Sequence, residues 1–244
     1  ETDPVLGTVM LIGTPNNEEA SASYTVEITA IDEGGLVSKE SVTIFVNNVN
    51  DGPSIDNMAT APGTVMEDKG YSFKIETTDV DRDVSANRSE KTLFTIAGDT
   101  EWLELGETDP VLGTVMLIGT PNNEEASASY TVEITAIDEG GLVSKESVTV
   151  FVHNINDPIV ITNMDLASEV VMEDKGYSFK IETSDVDRDV RDNRSEKTLF
   201  TIAGDTEWLE LGETDPVLGT VMLIGTPNNE EASASYTVEI TAID

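Results

Sequence analysis

The sequence predicts an all-β protein, built from tandem seven-stranded antiparallel β-sandwiches that follow one another with a period of 106 residues. A long segment that starts ETDPVLGTVMLIG begins at Glu1, again at Glu107 and again at Glu213, which is the mark of a repeat array. Apolar and polar residues alternate along several short runs. Gly, Pro, Asn and Asp interrupt those runs about every ten residues, as expected of turns between strands.

The individual strands follow from the alternation. In YSFKIE, Tyr71, Phe73 and Ile75 face one way and the polar residues face the other, which predicts a half-buried strand. The same pattern predicts strands in SYTVEITAI and SVTVFV, and further strands are expected in KTLFTIA, around Trp102 to Leu105, and in LGTVMLIG. No stretch carries a convincing helical stripe. A sandwich of about 100 residues accommodates these strands.

The predicted boundaries lie where copies differ and strand-ending residues gather. NNVNDGP at 47–53 and HNINDP at 153–158 each follow a strand-like run. We therefore predict the C-terminal part of a first repeat at 1–51, a complete second repeat at 52–157, and a third repeat lacking its last strand at 158–244. A half repeat cannot bury its sheet face alone, so we expect the intact protein to continue beyond both ends.

Composition narrows the classes of function. Asp and Glu number 48 against 13 Lys and Arg, for a formal charge of −35. Such a chain repels nucleic acid and anionic membranes and attracts cations. There is no cysteine, no run of about 20 apolar residues that would span a bilayer, and one histidine, His153. We expect neither an enzyme nor membrane insertion, and we interpret Trp102 and Trp208 as core residues rather than sugar platforms.

Carboxylates gather in groups that a calcium ion would need. Calcium takes about 6 to 8 oxygen ligands, drawn from several loops. The complete repeat offers Glu67-Asp68, the acids of DVDRD at 79–83, NNEE at 122–125, and Asp138, and the boundary adds Asn and Asp. In DVDRD the alternate spacing places carboxylates on one side of what we expect to be an extended loop. The alternative is a solvated acidic loop, and the pattern is not an EF-hand.

The order of motifs resembles a known family. The run from WLELGETDP through GTPNNEEAS and YTVEITAIDEGG to HNINDP resembles bacterial cadherin-like repeats, including the dystroglycan-type and putative-Ig forms, over the whole chain. In cadherins, calcium lies between successive domains and uses motifs from both. The resemblance implies a β-sandwich fold, bound Ca²⁺ and neighbouring repeats of the same chain as partners.

Carried over residue by residue, the resemblance implies ligands at both joints. At the joint between repeats two and three they are Glu67 or its neighbour Asp68, Asn123, Glu125, Asn154, Asn156, Asp157, Asp185, Asp187 and Asp244. At the joint between repeats one and two they are Asn17, Glu19, Asn48, Asn50, Asp51, Asp79, Asp81 and Asp138. The chain departs from the cadherin pattern at Asn123, Asn48 and Asn154, where cadherins carry acids, so binding should be weaker.

The resemblance and the near-identity of the copies favour one function. Ions shared across joints stiffen a string of domains into a monomeric rod, and identical copies supply length rather than a unique site. We expect calcium-rigidified extender repeats of a large bacterial adhesin, outside the cell and on its surface. Two alternatives stay open: domains that themselves adhere to cells or polysaccharide, and an accessory stalk of a secreted polysaccharide-degrading enzyme.

Overall fold

The regular secondary structure of the described chain is almost entirely β-strand. The computed structural model describes residues 2–3, 7–83, 90–189 and 197–244. Within these ranges, no helix is long and apolar enough to cross a membrane. Contacts divide the chain into two compact units: unit 1 holds Glu1–Val65, Gly70–Thr120 and Ser129–Phe151, and unit 2 holds Met66–Lys69, Pro121–Ala128 and Val152–Asp244. The repeat boundaries at 51 and 157 remain a sequence prediction.

Unit 1 contains most of the complete repeat as two four-stranded sheets. One sheet has the order β5-β7-β10-β9 and the other has the order β6-β12-β11-β8. The strands are β5 (Ser54–Ile55), β6 (Thr64–Met66), β7 (Tyr71–Thr78), β8 (Leu93–Gly98), β9 (Leu103–Asp109), β10 (Thr114–Gly119), β11 (Ala128–Ile137) and β12 (Val143–His153). The first strand is thus split into two short pieces, β5 and β6, one on each sheet.

The first half repeat, also in unit 1, forms two hairpins. β1 (Thr2–Asp3) pairs with β2 (Thr8–Val9), and β3 (Ser23–Ile31) pairs antiparallel with β4 (Val37–Phe45). Every residue of β4 is exposed, whereas in the equivalent strand β12 of the complete repeat Val148, Val150 and Val152 are buried. The difference arises because β12 has sheet neighbours on both sides and a facing sheet, and β4 pairs with β3 alone.

Unit 2 contains the third repeat. Its sheets are β13-β14-β17-β16 and β15-β18. The strands are β13 (Val160–Ile161), β14 (Tyr177–Ser184), β15 (Leu199–Gly204), β16 (Leu209–Asp215), β17 (Thr220–Gly225) and β18 (Val238–Ile243). Buried residues from both sheets meet in one core made of Ile181, Phe200, Leu209, Val221 and Leu223. This confirms the predicted all-β sandwich.

The predicted alternation is observed in strands of the complete repeat such as β7, β11 and β12. In β7, Tyr71 and Ile75 are 4% and 0% exposed while Ser72 and Lys74 face water. Trp102 is a core residue, as predicted: it packs edge-on against Tyr71 and Tyr130, with ring centroids 5.9 and 5.8 Å apart. Such edge-to-face pairs add to the stabilisation that burial alone provides.

The expectation of an extended loop at DVDRD is wrong. The segment forms a helical turn, α1 (Val80–Asp83), and its counterpart in the third repeat forms α2 (Val186–Asp189). The reason is capping: Asp79 Oδ1 accepts the N–H of Asp81 at 2.9 Å and that of Arg82 at 3.4 Å. A side chain that accepts the first amide groups of a turn favours coiling over extension. Two short 3₁₀ turns, Met58–Thr60 and Met164–Leu166, complete the helical structure of the described residues.

One core substitution tests the fold with an internal control. Ile134 on β11 is 0% exposed, and its sequence equivalent Ile28 on β3 is 36% exposed. We expect Ile134→Ala to lower the free energy of unfolding of its repeat by about 2 to 5 kcal/mol, because the cavity adds to the lost transfer energy. Ile28→Ala should cost much less. Urea unfolding followed by far-UV circular dichroism, which reports on the strands of both repeats, measures both, and equal losses would contradict the assigned burial.

Candidate metal centre

Three carboxylates from distant parts of the sequence meet in unit 2. Glu67, Asp157 and Asp187 each offer an oxygen, and these oxygens lie within 4.8 Å of one another. Glu67 and Asp187 are 0% exposed and Asp157 is half-buried. We call this set the Glu67 cluster. Glu67 comes from the second repeat, Asp157 from its predicted boundary and Asp187 from α2 of the third repeat.

Amide groups hold the Glu67 cluster together. The N–H of Ile155 donates to Glu67 Oε1. The N–H of Asp157 donates to Asp187 Oδ2 at 2.5 Å, and Asn123 Nδ2 donates to Asp157 Oδ2 at the same distance. Asp187 in turn donates its N–H to Asp185 Oδ1 at 2.9 Å. Hydrogen bonds to ionised carboxylates are among the stronger ones in proteins, so the acids are held in place as a set.

A second set of three carboxylates lies in unit 1. Oxygens of Asp79, Asp81 and Glu90 also lie within 4.8 Å of one another, and Asp79 and Asp81 are 2% and 1% exposed. We call this set the Asp79 cluster. Asp81 Oδ2 accepts the N–H of Asp51 at 2.7 Å, so the predicted boundary between repeats one and two contacts this cluster. Asp51 itself accepts a hydrogen bond from Asn17 Nδ2 at 2.5 Å.

At each predicted boundary, an asparagine side chain also donates a hydrogen bond to an aspartate of the repeat that follows. Asn50 Nδ2 donates to Asp138 Oδ2 at 2.8 Å in unit 1, and Asn156 Nδ2 donates to Asp244 Oδ2 at 3.0 Å in unit 2. Asp138 is 4% exposed, whereas Asp244 is exposed. The two boundaries therefore repeat one arrangement of amide and carboxylate.

The chemistry of these groups suits a hard cation. Asp79 Oδ2 is buried and has no hydrogen-bond partner among the described residues, and the same holds for Asn154 Oδ1. The amide oxygen of Asn154 and the oxygen of an ionised Asp79 carboxylate are both hydrogen-bond acceptors. Burial raises the pKa of the Asp79 carboxyl, against the backbone N–H groups of Asp81 and Arg82, which lower it. Removing a carboxylate from water favours its neutral form unless a positive charge is near. Oxygen ligands of this kind match calcium.

Other predicted ligands lie outside the two clusters as defined. Asp68, beside Glu67, is exposed and donates its N–H to the carbonyl of Pro121 at 2.8 Å. Glu125 Oε2 accepts the N–H of Asn122 at 2.8 Å, and Glu19 Oε2 accepts that of Asn16 at 2.7 Å. Asn48 is exposed. Glu67 and its neighbour Asp68 were equivalent on sequence grounds, and the structure places Glu67 in the cluster.

Glu90 belongs to the Asp79 cluster although sequence reasoning did not single it out. It follows DVDRD by several residues and is half-buried beside Asp79 and Asp81. Its own sequence surroundings, RSEKT, carry both signs of charge and contain no acidic motif. No signal in the sequence points to Glu90. It is found because its carboxylate lies beside those of the buried Asp79 and Asp81 in the folded chain.

The curated proteins that are similar to this chain in sequence include a cadherin. No family model matches the chain. The chain is 29% identical over 151 residues to Protein dachsous of Drosophila melanogaster, covering 59% of this chain and 4% of that protein. It is 23% identical over 256 residues to Cadherin-1 of Gallus gallus, covering 99% of this chain and 28% of that protein. The chain thus spans only a small part of these curated relatives.

Solved cadherin structures share the architecture. A structure of PcdhgB3 EC1-4 matches 94% of this chain and 55% of that chain, at 20% identity and a TM-score of 0.57. The extracellular cadherin domains 1-5 of Protocadherin Gamma B2 match 94% of this chain and 43% of that chain, at 23% identity and a TM-score of 0.53. The chain is therefore similar to cadherins in sequence and has a cadherin-like β-sandwich fold.

Proposed function

We propose that this chain consists of calcium-stiffened extender repeats of a large bacterial surface adhesin. The observation that carries the proposal is the Glu67 cluster, where residues from the second repeat, its boundary and the third repeat bring carboxylate oxygens within 4.8 Å. A cation held by all three joins segments on both sides of the predicted boundary. The site then resists bending of the joint as long as the ion stays bound.

The residues have distinct roles in this proposal. Glu67, Asp157 and Asp187 would supply charge, and Asn154 Oδ1 would supply a neutral oxygen in the same unit. In unit 1, Asp79 and Asp81 would do the same with Glu90. The ion supplies positive charge that offsets carboxylate repulsion. This chemistry and the likeness to extracellular cadherin domains support the extracellular, calcium-containing setting that we propose.

Repetition supports a spacer rather than a catalyst. The copies are nearly identical, and most differences fall at the boundary and in the segment that follows it, for example Asn47 against His153 and Pro62 against Ser168. A catalytic site would give one copy a task that the others lack. We therefore propose a non-enzymatic role that sets the distance between the cell and a terminal binding module.

Small-angle X-ray scattering of the 244-residue chain tests the stiffening directly. We expect an extended, rigid profile in millimolar calcium and a more flexible or compact one after chelation, because shared ions constrain the joints. Sodium chloride at matched ionic strength is the control, since a chain with a formal charge of −35 responds to any salt.

The outcomes separate the hypotheses. An identical profile with and without calcium would show that calcium does not stiffen the joints, and the extender proposal would fail. Association that rises with protein concentration only in calcium would favour domains that adhere to one another.

The contribution of Glu90 can be measured against a matched acid. We expect Glu90→Gln to weaken calcium binding at one class of site by about tenfold, because it removes a charge from the Asp79 cluster. Glu104→Gln removes the same charge from an exposed position on β9 and should leave the affinity unchanged. Isothermal titration calorimetry of chelator-treated protein with calcium chloride measures both, and equal affinities for the two variants would exclude Glu90 from the site.

Asn123→Asp should have opposite effects with and without calcium. Asn123 Nδ2 donates to Asp157 Oδ2, so an acid at position 123 removes a donor and adds a repelling charge. We expect a lower melting temperature in chelator and tighter calcium binding, since an extra carboxylate raises the charge of the site. Asn122→Asp adds the same charge at an exposed position one residue away. If Asn123→Asp bound calcium no more tightly than this control, residue 123 would not face the ion.

A further inference from the structure

A buried guanidinium stands next to the Asp79 cluster. The side chain of Arg82 is 6% exposed, and its five N–H groups all have acceptors. Nε donates to Asp83 Oδ1 at 2.8 Å, and Nη1 donates to the hydroxyls of Thr77 at 3.0 Å and Thr92 at 2.8 Å. Nη2 donates to the carbonyl of Thr77 at 2.5 Å and to Asp83 Oδ2 at 3.2 Å. Arg82 thus satisfies every donor it has.

These bonds tie the acidic turn to the sandwich. α1 is a single turn of four residues, and a turn of that length is not stable in isolation. Thr77 lies near the end of β7, and Thr92, 2% exposed, immediately precedes β8. Arg82 therefore connects the turn that carries Asp81 to both sheets of its repeat.

A glycine provides the space for Arg82. Gly113 has a φ of +64°, and a Cβ placed there would lie 1.9 Å from Arg82 Nη1. Its carbonyl accepts a hydrogen bond from the Thr77 hydroxyl at 2.8 Å, and that hydroxyl accepts one from Arg82. A side chain at 113 would displace the guanidinium, so the turn between β9 and β10 is part of the same arrangement.

The third repeat has the same arrangement in unit 2. Arg188 donates from Nη1 to the hydroxyls of Thr183 at 3.0 Å and Thr198 at 2.9 Å, and from Nη2 to the carbonyl of Thr183 at 2.7 Å. A Cβ at Gly219 would lie 1.9 Å from Arg188 Nη1. Arg188 follows Asp187, a member of the Glu67 cluster, so each cluster has its own anchored arginine.

We propose that Arg82 and Arg188 are positioning residues that hold the acidic turns in their cation-binding shape before the cation arrives. This inference rests on the proposed calcium binding. A guanidinium near the site repels a cation, so its charge alone opposes binding. The arginine favours binding through geometry, because it holds the turn so that the carboxylates are close together before the ion binds.

The direction in which Arg82→Met changes the calcium affinity distinguishes a positioning role from a purely electrostatic one. If Arg82 acted only through its charge, Arg82→Met would tighten calcium binding by removing a repelling cation. If Arg82 positions the turn, Arg82→Met weakens binding. Arg82→Lys keeps the charge but has three donors on a flexible stem instead of a planar fork, so it should restore little of the loss.

Calorimetric calcium titration of the 244-residue chain, after chelator treatment, measures whether the calcium affinity rises or falls. We expect Arg82→Met and Arg82→Lys each to weaken one class of site by about tenfold, as for other residues that orient metal ligands. Thr92→Val, which removes one acceptor, should weaken it less. Lys74→Met is the matched control: Lys74 is 53% exposed on β7 and pairs with Glu76, so its loss should leave affinity unchanged or slightly higher.

Amide hydrogen exchange in chelator provides a readout that needs no metal. The N–H of Asp83 donates to the carbonyl of Asp79 at 2.8 Å, and we expect Arg82→Lys to speed its exchange while amides of β11 stay protected. Faster exchange across β11 as well would show a general loss of folding and would overturn a local role for Arg82.

The remaining outcomes separate the two proposals. Arg82→Met that binds calcium as tightly as the unmodified chain, with unchanged exchange at Asp83, overturns the positioning role. If the unmodified chain binds no calcium, the proposed function fails, and the inference fails with it as a statement about cation binding. In that case faster exchange at Asp83 would still identify Arg82 as the anchor of the turn.

Discussion

The repulsion between gathered carboxylates is the constraint that governs the repeat boundaries. Glu67, Asp157 and Asp187 hold oxygens within 4.8 Å of one another. At an effective dielectric constant of about 20, two unit charges at that separation repel by about 3 kcal/mol. Three such pairs would drive the segments apart unless donors, buried cations or a bound ion oppose them. The amide donors and the anchored arginines are the parts of this chain that do so.

Asparagine side chains reduce the repulsion between these carboxylates. Where the cadherin pattern has acids, this chain has Asn123, whose amide donates to Asp157 instead of adding a fourth charge. Asn17 does the same for Asp51 in unit 1. An amide lowers the repulsion when no ion is bound and also lowers the attraction for the ion. We therefore expect one substitution to have two results, weaker calcium binding and a better-ordered ion-free site.

Sequence reasoning predicted the strands well because their signal is local. Alternation in YSFKIE is sufficient to place Tyr71 and Ile75 inside, and the structure confirms both. The acidic turn was harder: DVDRD resembles an extended loop until Asp79 is seen to cap its own amides. The place of Glu90 in the Asp79 cluster and the five hydrogen bonds of Arg82 depend on which loops come together in the fold. The residues that neighbour them in the sequence do not indicate this. The ligand assignments carried over from the cadherin resemblance remain predictions.

The strength of calcium binding decides what the ion can do for a joint. Extracellular modules commonly bind calcium with dissociation constants of about 10⁻⁴ to 10⁻³ M. A tenfold excess of ion over such a constant stabilises the bound state by about 1.4 kcal/mol per site. That is too little to fold a sandwich, and the cores built around Ile134 and Ile181 make it unnecessary, since both residues are fully buried. It is enough to bias a hinge between two orientations by about tenfold. Under the proposed function, calcium at these clusters would therefore act on the joints and leave the folding of the domains to their cores.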